Sequence, residues 1–285
     1  MTASTIRPPK RRRPKPAVVV GGAARAAGIL LVVFLFLVPL VWMLLASLKT
    51  NLEVVDPTKL FNFTPTITNY VTVLQEQQFL PYILNSFIVA TGATAIALLL
   101  GLPAAYAIAR YKITNATAFV LLARVIPGVS LLIPWYYIFS SIGLVGTYGV
   151  LILTHIFVTM PLIVAIMTSF FEGLPGELEE AAQIDGASKI AAFVRIVLPL
   201  SVPGIATATI LSFIFSWNNF LFALVLSNQN TRTLPVAISN FTSYASVDWG
   251  GLMAASVIIT VPVMLIALFS QKYVVSGLTA GATKG

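Results

Sequence analysis

The stretch Val125–Phe171 reads VIPGVSLLIPWYYIFSSIGLVGTYGVLILTHIFVTMPLIVAIMTSFF and contains no Asp, Glu, Lys or Arg. A helix needs about 20 apolar residues to cross a lipid bilayer, so this stretch is long enough for two crossings. Three glycines between Gly143 and Gly149 favour a short turn in its middle. The sequence therefore predicts two transmembrane helices joined by a tight turn.

The rest of the chain has the same membrane character. Of its 285 residues 58% are hydrophobic and 9% are charged, against roughly 25% charged in a soluble domain. A water-soluble globular enzyme is therefore excluded. Four further uncharged stretches complete an all-α membrane protein with six transmembrane helices, predicted at residues 25–47, 82–109, 117–141, 148–171, 198–226 and 251–272.

The first predicted helix follows basic residues, as the core of a signal peptide would. Its uncharged stretch, Ala26–Leu48, is longer than the usual core of about 7–15 apolar residues, and no small-x-small cleavage pattern follows it before Lys49. We therefore expect this helix to remain as a membrane anchor.

The basic residues predict the orientation, because Lys and Arg are enriched on the cytoplasmic side of membrane proteins. In a six-helix topology only Lys49, Lys59 and Arg232 lie on the side opposite the N-terminus. The N-terminal side carries Arg7, Lys10, Arg11, Arg12, Arg13, Lys15, Arg25, Arg110, Lys112, Lys189, Arg195, Lys272 and Lys284. Both termini are therefore expected in the cytoplasm. The net charge of +8 then reflects topology rather than a nucleic-acid surface.

Ionisable groups inside a membrane are costly and usually functional, but the predicted helices contain almost none. All the acids lie in loops: Glu53, Asp56, Glu76, Glu172, Glu177, Glu179, Glu180, Asp185 and Asp248. His155, the single histidine, is expected to form a hydrogen bond between packed helices, or alternatively to contact substrate. Arg124 is expected to snorkel or to pair with a loop acid, or alternatively to act in gating. No catalytic set and no metal site is apparent, so energy has to come from a partner.

The loop between the fourth and fifth predicted helices, residues 172–197, is the candidate contact with that partner. Pro175 can begin a helix, and Glu177, Glu179 and Glu180 lie in its first turns, where the helix dipole favours anions. Gly186 ends this helix, and a second short helix leads to the next span. The small residues Ala181, Ala182, Gly186 and Ala187 form a low ridge on this loop, which another protein can approach closely. An ordinary solvated loop helix is the alternative.

This loop resembles the EAA motif of ABC importer permeases. The resemblance is carried by Glu180-Ala-Ala-Gln-Ile-Asp-Gly186 and the trailing Ile196-Val-Leu-Pro199. In that family the loop is the coupling helix, which sits in a cleft of the cytoplasmic ATPase subunit. The resemblance implies an ATPase-coupling set of Glu180, Ala181, Ala182, Asp185, Gly186, Ala187 and Pro199.

Further segments are similar to the carbohydrate branch of these permeases, the maltose-permease type. They are Phe170–Leu178, Phe215–Phe220, Thr233–Pro235, Asp248–Ala255 and Gln271–Gly285. The resemblance implies the type I importer fold and a non-catalytic permease subunit of an ATP-driven importer for a mono-, di- or oligosaccharide. Residues 1–24 are rich in Pro, Arg and small residues and lie outside the resemblance, so a disordered basic tail is expected there. A six-span ABC permease membrane domain (25–272) and a cytoplasmic C-terminal tail (273–285) follow.

The implied partners are a second homologous permease, two ATP-binding subunits and an extracytoplasmic solute-binding protein, in a bacterial or archaeal cell membrane. ATP and magnesium would bind to those partners, and this chain would hold no cofactor. A permease for a polyol or another small solute is one alternative. An ion-coupled secondary carrier is a second, against which the lack of membrane carboxylates argues.

A polar face on the fifth predicted helix suggests a substrate path. Ser212, Ser216 and Asn219 lie at helical spacing with Trp217 and Asn218 beside them. Hydroxyl and amide groups with an aromatic platform suit a neutral polyhydroxy ligand. Packing between membrane helices also uses Ser and Asn and is the alternative. For Trp135, Tyr136 and Tyr137 an interfacial or packing role is expected.

Overall fold

The computed structural model describes residues 16–243 and 246–280, and within them it is helical, with one isolated antiparallel bridge between Thr242 and Val247. Helices satisfy every backbone hydrogen bond internally, which lipid requires. The helices are α1 (Pro16–Ser47), α2 (Asn51–Val55), α3 (Thr68–Val71), α4 (Phe79–Tyr111), α5 (Thr114–Val125), α6 (Gly128–Ser141), α7 (Tyr148–Glu172), α8 (Glu177–Ile184), α9 (Lys189–Ala192), α10 (Leu198–Leu200), α11 (Val202–Trp217), α12 (Leu221–Leu226), α13 (Leu234–Ala237) and α14 (Trp249–Ala280).

Four described helices, α1, α4, α7 and α14, are long and apolar enough to cross a membrane, and a bent pair around α10–α11 makes a fifth. The six continuous helices expected from the sequence are not all reproduced. The third, 117–141, is two helices separated at Ile126-Pro127, where Ile126 is extended. Proline lacks an N–H and disfavours helix at the residue before it, which explains the break.

The fifth expected helix, 198–226, is also divided. Segments Lys189–Leu200 and Val202–Trp217 meet at 76°, and α12 follows after a second break. At the N-terminus α1 begins at Pro16 rather than near residue 25, while residues 1–15 and 281–285 lie outside the described part. The division into tails and membrane domain stays a prediction.

The predicted turn in the middle of Val125–Phe171 is confirmed, although of the two helices that it joins only α7 is long enough to cross a membrane by itself. It joins α6 to α7 and uses Gly143 and Gly146 at φ values of +68° and +83°. Positive φ is readily available only to glycine. The two helices therefore reverse direction within a few residues.

The centre of the fold is α4, which packs along α7 and against α11. Small residues allow close approach, since a Cβ at Gly101 would lie 3.0 Å from Ile163 of α7. At the C-terminal end of α4, a cluster of Ala105, Ile108, Met167 and Phe171 fixes α4 to α7. α1 packs on α14 and leaves most of its apolar surface outward, as expected for a helix bathed in lipid.

Candidate functional site

The loop after α7 folds into the two short helices that the sequence predicts, α8 and α9. Gly186, which separates them, has a φ of +90°, while a Cβ built on it would meet no atom within 4 Å. The requirement for glycine is therefore conformational rather than steric. Ser188 begins α9, and its Oγ accepts a hydrogen bond from the N–H of Ala191 at 3.2 Å. We call residues 177–192 the elbow.

Most of the predicted coupling residues lie together on the elbow. Glu180, Ala181, Asp185 and Gly186 are exposed, and Ala182 and Ala187 are half-buried. Pro199 is exposed as well, but it lies on α10, beyond a π-helical turn that follows α9.

Apolar side chains accompany these acids on the outside of the elbow. Ile184 is 86% exposed, and Ile190 of α9 is also largely exposed. Exposed apolar groups beside polar ones are typical of protein interaction surfaces. The elbow therefore offers both charge and apolar area to a partner.

Sequence reasoning missed one residue of this region, because it grouped Glu179 with the solvated acids. In the structure Glu179 is 6% exposed. Its Oε1 lies 2.6 Å from Nη2 of Arg110 and accepts a hydrogen bond from Nε of Arg110 at 2.7 Å. Tyr106, one turn earlier on α4, donates its hydroxyl to Oε2 at 2.5 Å. The Tyr106 and Arg110 pair, four residues apart near the end of α4, is the signal that could have pointed to such a partner.

The structure separates the residues of the predicted substrate face. Ser212, Ser216 and Trp217 are buried. Ser216 Oγ and His155 Nδ1 of α7 form a hydrogen bond of 2.8 Å, and Trp217 donates its indole N–H to the carbonyl of Ile259 at 3.3 Å. These contacts join helices, so the packing role expected of His155 is confirmed.

Asn218 and Asn219, in contrast, border a cavity of about 570 Å³ where α11 ends. Asn218 donates to the carbonyl of Ile214 at 2.9 Å, and Asn219 Oδ1 accepts from the N–H of Phe222 at 3.3 Å. The remaining lining is almost entirely apolar: Ile126, Gly128, Phe157, Val158, Leu162, Ile214, Phe215, Phe220, Leu221 and Phe222. The cavity is therefore an aromatic chamber with two amides on one wall.

The other aromatic candidates support this chamber or face outward. Trp135 stacks on Phe222, with ring centroids 5.1 Å apart, and meets Phe157 edge to face at the same separation. Tyr136 and Tyr137 are exposed. The side chain of Arg124 lies outside the described part of the structure, so its role stays a prediction.

Residues 97–280 match the family model described as "Binding-protein-dependent transport system inner membrane component". The chain belongs to this family. Its relatives include the sulfoquinovosyl glycerol transport system permease protein of Agrobacterium fabrum, with 39% identity over 87% of this chain and 89% of the relative. The trehalose transport system permease protein of Mycobacterium tuberculosis is 38% identical, over 87% of this chain and 93% of that protein. The trehalose/maltose transport system permease protein of Thermococcus litoralis is 39% identical over 87% and 92%.

Solved structures show the same fold. A bacterial ABC transporter involved in alginate import has a chain that superposes with a TM-score of 0.74 at 18% identity, covering 92% of this chain and 99% of that one. A chain of the methionine transporter MetNI gives 0.57 at 18% identity, covering 70% and 95%. The expected importer-permease fold is thus confirmed.

Family membership decides between the functions considered from the sequence. The relatives are permease proteins of ABC transport systems, and the chain is a multi-pass, non-catalytic permease component of the inner membrane. The alternative of an ion-coupled carrier is therefore wrong.

Proposed function

We propose that this permease serves an ATP-driven importer of a sugar, whether a mono-, di- or oligosaccharide, and has both termini in the cytoplasm. The observation that carries the proposal is the group of relatives with 38–39% identity, which are named for trehalose, trehalose/maltose and sulfoquinovosyl glycerol. Each of these solutes contains a sugar ring. The asymmetry of Lys and Arg between the two sides of the chain supports the orientation.

The proposed assembly contains a second homologous permease, two ATP-binding subunits and a solute-binding protein outside the cell membrane. A fold neighbour, with a TM-score of 0.61 and 19% identity over 89% of this chain and 94% of that one, is a bacterial alginate transporter in complex with an alginate pentasaccharide-bound periplasmic protein. ATP and magnesium would bind to the ATP-binding subunits, and this chain would hold no cofactor.

The elbow is the proposed contact with an ATP-binding subunit. Glu180 is exposed and would accept a charged hydrogen bond from a basic residue of that subunit. The small side chains of Ala181, Ala182 and Ala187 would let the two surfaces approach closely, and Gly186 supplies the bend. Closure of the ATP-binding subunits would then move the elbow, and with it the spans that alternate access to the substrate.

The aromatic chamber is the proposed part of the substrate path. Sugars combine apolar C–H faces with many hydroxyl groups, and aromatic walls with amides complement both. Asn218 and Asn219 border the chamber, whereas Ser212, Ser216 and Trp217 would support it through helix packing.

The solute class is tested with the binding protein encoded beside this chain. The binding protein is purified without denaturation and its bound ligand is identified by mass spectrometry. The assembled transporter in liposomes is then assayed for ATP hydrolysis stimulated by that protein with trehalose, maltose or a polyol such as sorbitol. Stimulation by a sugar supports the proposal. Stimulation by the polyol alone replaces it with the polyol alternative.

A further inference from the structure

Two neighbouring carboxylates of α8 have opposite surroundings. Glu180 is exposed, whereas Glu179 is buried. An α-helix has about 3.6 residues per turn, so consecutive side chains leave it roughly 100° apart. The proposed contact with an ATP-binding subunit uses the outward carboxylate and leaves the inward one without a role.

Both oxygens of the inward carboxylate, that of Glu179, bind to side chains of α4. Glu179 Oε1 meets both Nε and Nη2 of Arg110, at 2.7 and 2.6 Å, and Oε2 accepts the hydroxyl of Tyr106. The Tyr106 ring lies 4.5 Å from that of Phe193 and 6.0 Å from that of Phe171, between centroids. Charge-assisted hydrogen bonds of this kind are short and directional, and the aromatic neighbours keep Tyr106 in place.

Arg110 also holds the beginning of the loop. Its Nη1 donates to the carbonyl of Leu174 at 3.2 Å, between the end of α7 and the start of α8. One guanidinium therefore joins α4 to α8 and to the segment that precedes α8.

The covalent connections of α8 to its neighbours are poorly suited to transmit force. Gly173 and Gly176 lie on the α7 side, and Gly186 lies on the α9 side. Gly186 has a positive φ of +90° and the backbone freedom of glycine, so movement of α8 can be partly absorbed at its α9 end. The contact with α4 bypasses these glycines and reaches the helix that packs on both α7 and α11.

We propose that Arg110, Glu179 and Tyr106 form a strut that transmits the movement of α8 directly to α4. Glu179 is thus a positioning residue for coupling and does not touch the ATP-binding subunit. This inference rests on the proposed docking of the elbow, since the strut matters only if the elbow is moved by a partner.

The test measures whether α8 and α4 move together. The chain contains no cysteine, so Glu177→Cys on α8 and Leu99→Cys on α4, both at exposed positions, provide unique sites for spin labels. Double electron–electron resonance then gives the distance between the labels in the complete transporter, without nucleotide and with MgATP plus vanadate. The test variant is Glu179→Gln, and the control is Glu172→Gln, at an exposed acid that ends α7 and lies outside the elbow.

The strut predicts one narrow distance distribution that is the same with and without nucleotide, in the unsubstituted chain and in Glu172→Gln. In Glu179→Gln the distribution broadens, and it shifts when MgATP and vanadate are added. Tyr106→Phe keeps the ring and removes one hydrogen bond, so it gives a smaller broadening and decides the matter if Glu179→Gln fails to fold. Distributions as narrow and as nucleotide-independent in Glu179→Gln and Tyr106→Phe as in the control would overturn the strut.

Failure of the proposed function would be recognised separately. If no ATP-binding subunit co-purifies with the unsubstituted chain, the docking of the elbow is wrong. If the ATP-binding subunit co-purifies with Glu172→Gln but not with Glu179→Gln, the inward carboxylate is needed for docking, and the strut as stated is wrong.

Discussion

The environment of a residue in this protein, more than its chemical type, determines its role, as Lys49 illustrates. Lys49 is 1% exposed, although lysine is rarely buried without a partner. Its Nζ donates to the carbonyls of Lys59 and Leu60 at 3.0 and 2.9 Å, and it lies 4.7 Å from the ring centroids of Trp42 and Phe63. Carbonyl oxygens and aromatic faces thus replace a carboxylate.

Lys49→Met is expected to destabilise the protein by about 2 kcal/mol, because hydrogen bonds to a charged group are lost and two carbonyls lose their donor. Thermal unfolding in detergent measures the change, with Lys59→Met as the control, since the Lys59 carbonyl remains. An equal loss of stability in both variants would contradict this account of Lys49.

Gly186→Ala is expected to strain the elbow by about 1–2 kcal/mol, because an L-residue resists a positive φ. The ATP-binding subunit should therefore co-purify less with this variant, while the permease itself stays in the membrane. Gly176→Ala is the matched control, since Gly176 has a φ of −68° and open space at its Cβ. Equal co-purification in the two variants would show that the bend is not required.

The sequence predicted the exposed surface of the elbow, but it did not predict the contacts that attach the elbow to α4. The motif from Glu180 to Gly186 marked the exposed surface and the bend. The burial of Glu179 was missed, because its partners Arg110 and Tyr106 are about seventy residues away in sequence. Their spacing on α4 suggests a shared partner, but only the packing of α4 against α8 shows which acid it is. The predicted polar face of α11 also depended on packing, which turned Ser216 towards His155.

The positions of the long helices follow from the lengths of the apolar stretches, and the breaks in the helices follow from proline and glycine. The uncharged stretches predicted α4 and α7 closely, whereas α1 begins earlier, at Pro16, and α14 ends later, at Ala280, than predicted. Pro127 and the bend after α10 interrupt two others. The proline at position 127 could have indicated the break, because proline disfavours helix at the residue before it. The length of the apolar stretch could not, since the residues on both sides are equally hydrophobic.

Close packing between helices depends on glycine at positions where a side chain would not fit. A Cβ at Gly204 of α11 would lie 2.6 Å from the ring of Phe170 of α7. Gly204→Ala is therefore expected to destabilise the protein by about 1–3 kcal/mol through overpacking, as measured by thermal unfolding in detergent. Gly28→Ala on α1, where a Cβ meets nothing within 4 Å, should be neutral. Restored stability in Gly204→Ala combined with Phe170→Leu would identify the clash as the cause.

The whole molecule is a permease component without catalytic residues of its own. Its described membrane-spanning helices hold no acidic pair, whereas the elbow exposes the acids Glu177, Glu180 and Asp185 beside Ile184 and Ile190. Family membership establishes a permease. The elbow is the part of the chain that we propose receives the movement of an ATP-binding subunit.

Site-specific cross-linking tests this claim most directly. In this chain without cysteine, Ile184→Cys places a photoreactive thiol label on the elbow, and Leu52→Cys, also exposed, places it on α2 at the opposite side of the predicted topology. In membranes that contain the complete transporter, the account predicts that Ile184→Cys captures the ATP-binding subunit and that Leu52→Cys does not. Capture from Leu52→Cys, or no capture from Ile184→Cys, would contradict it.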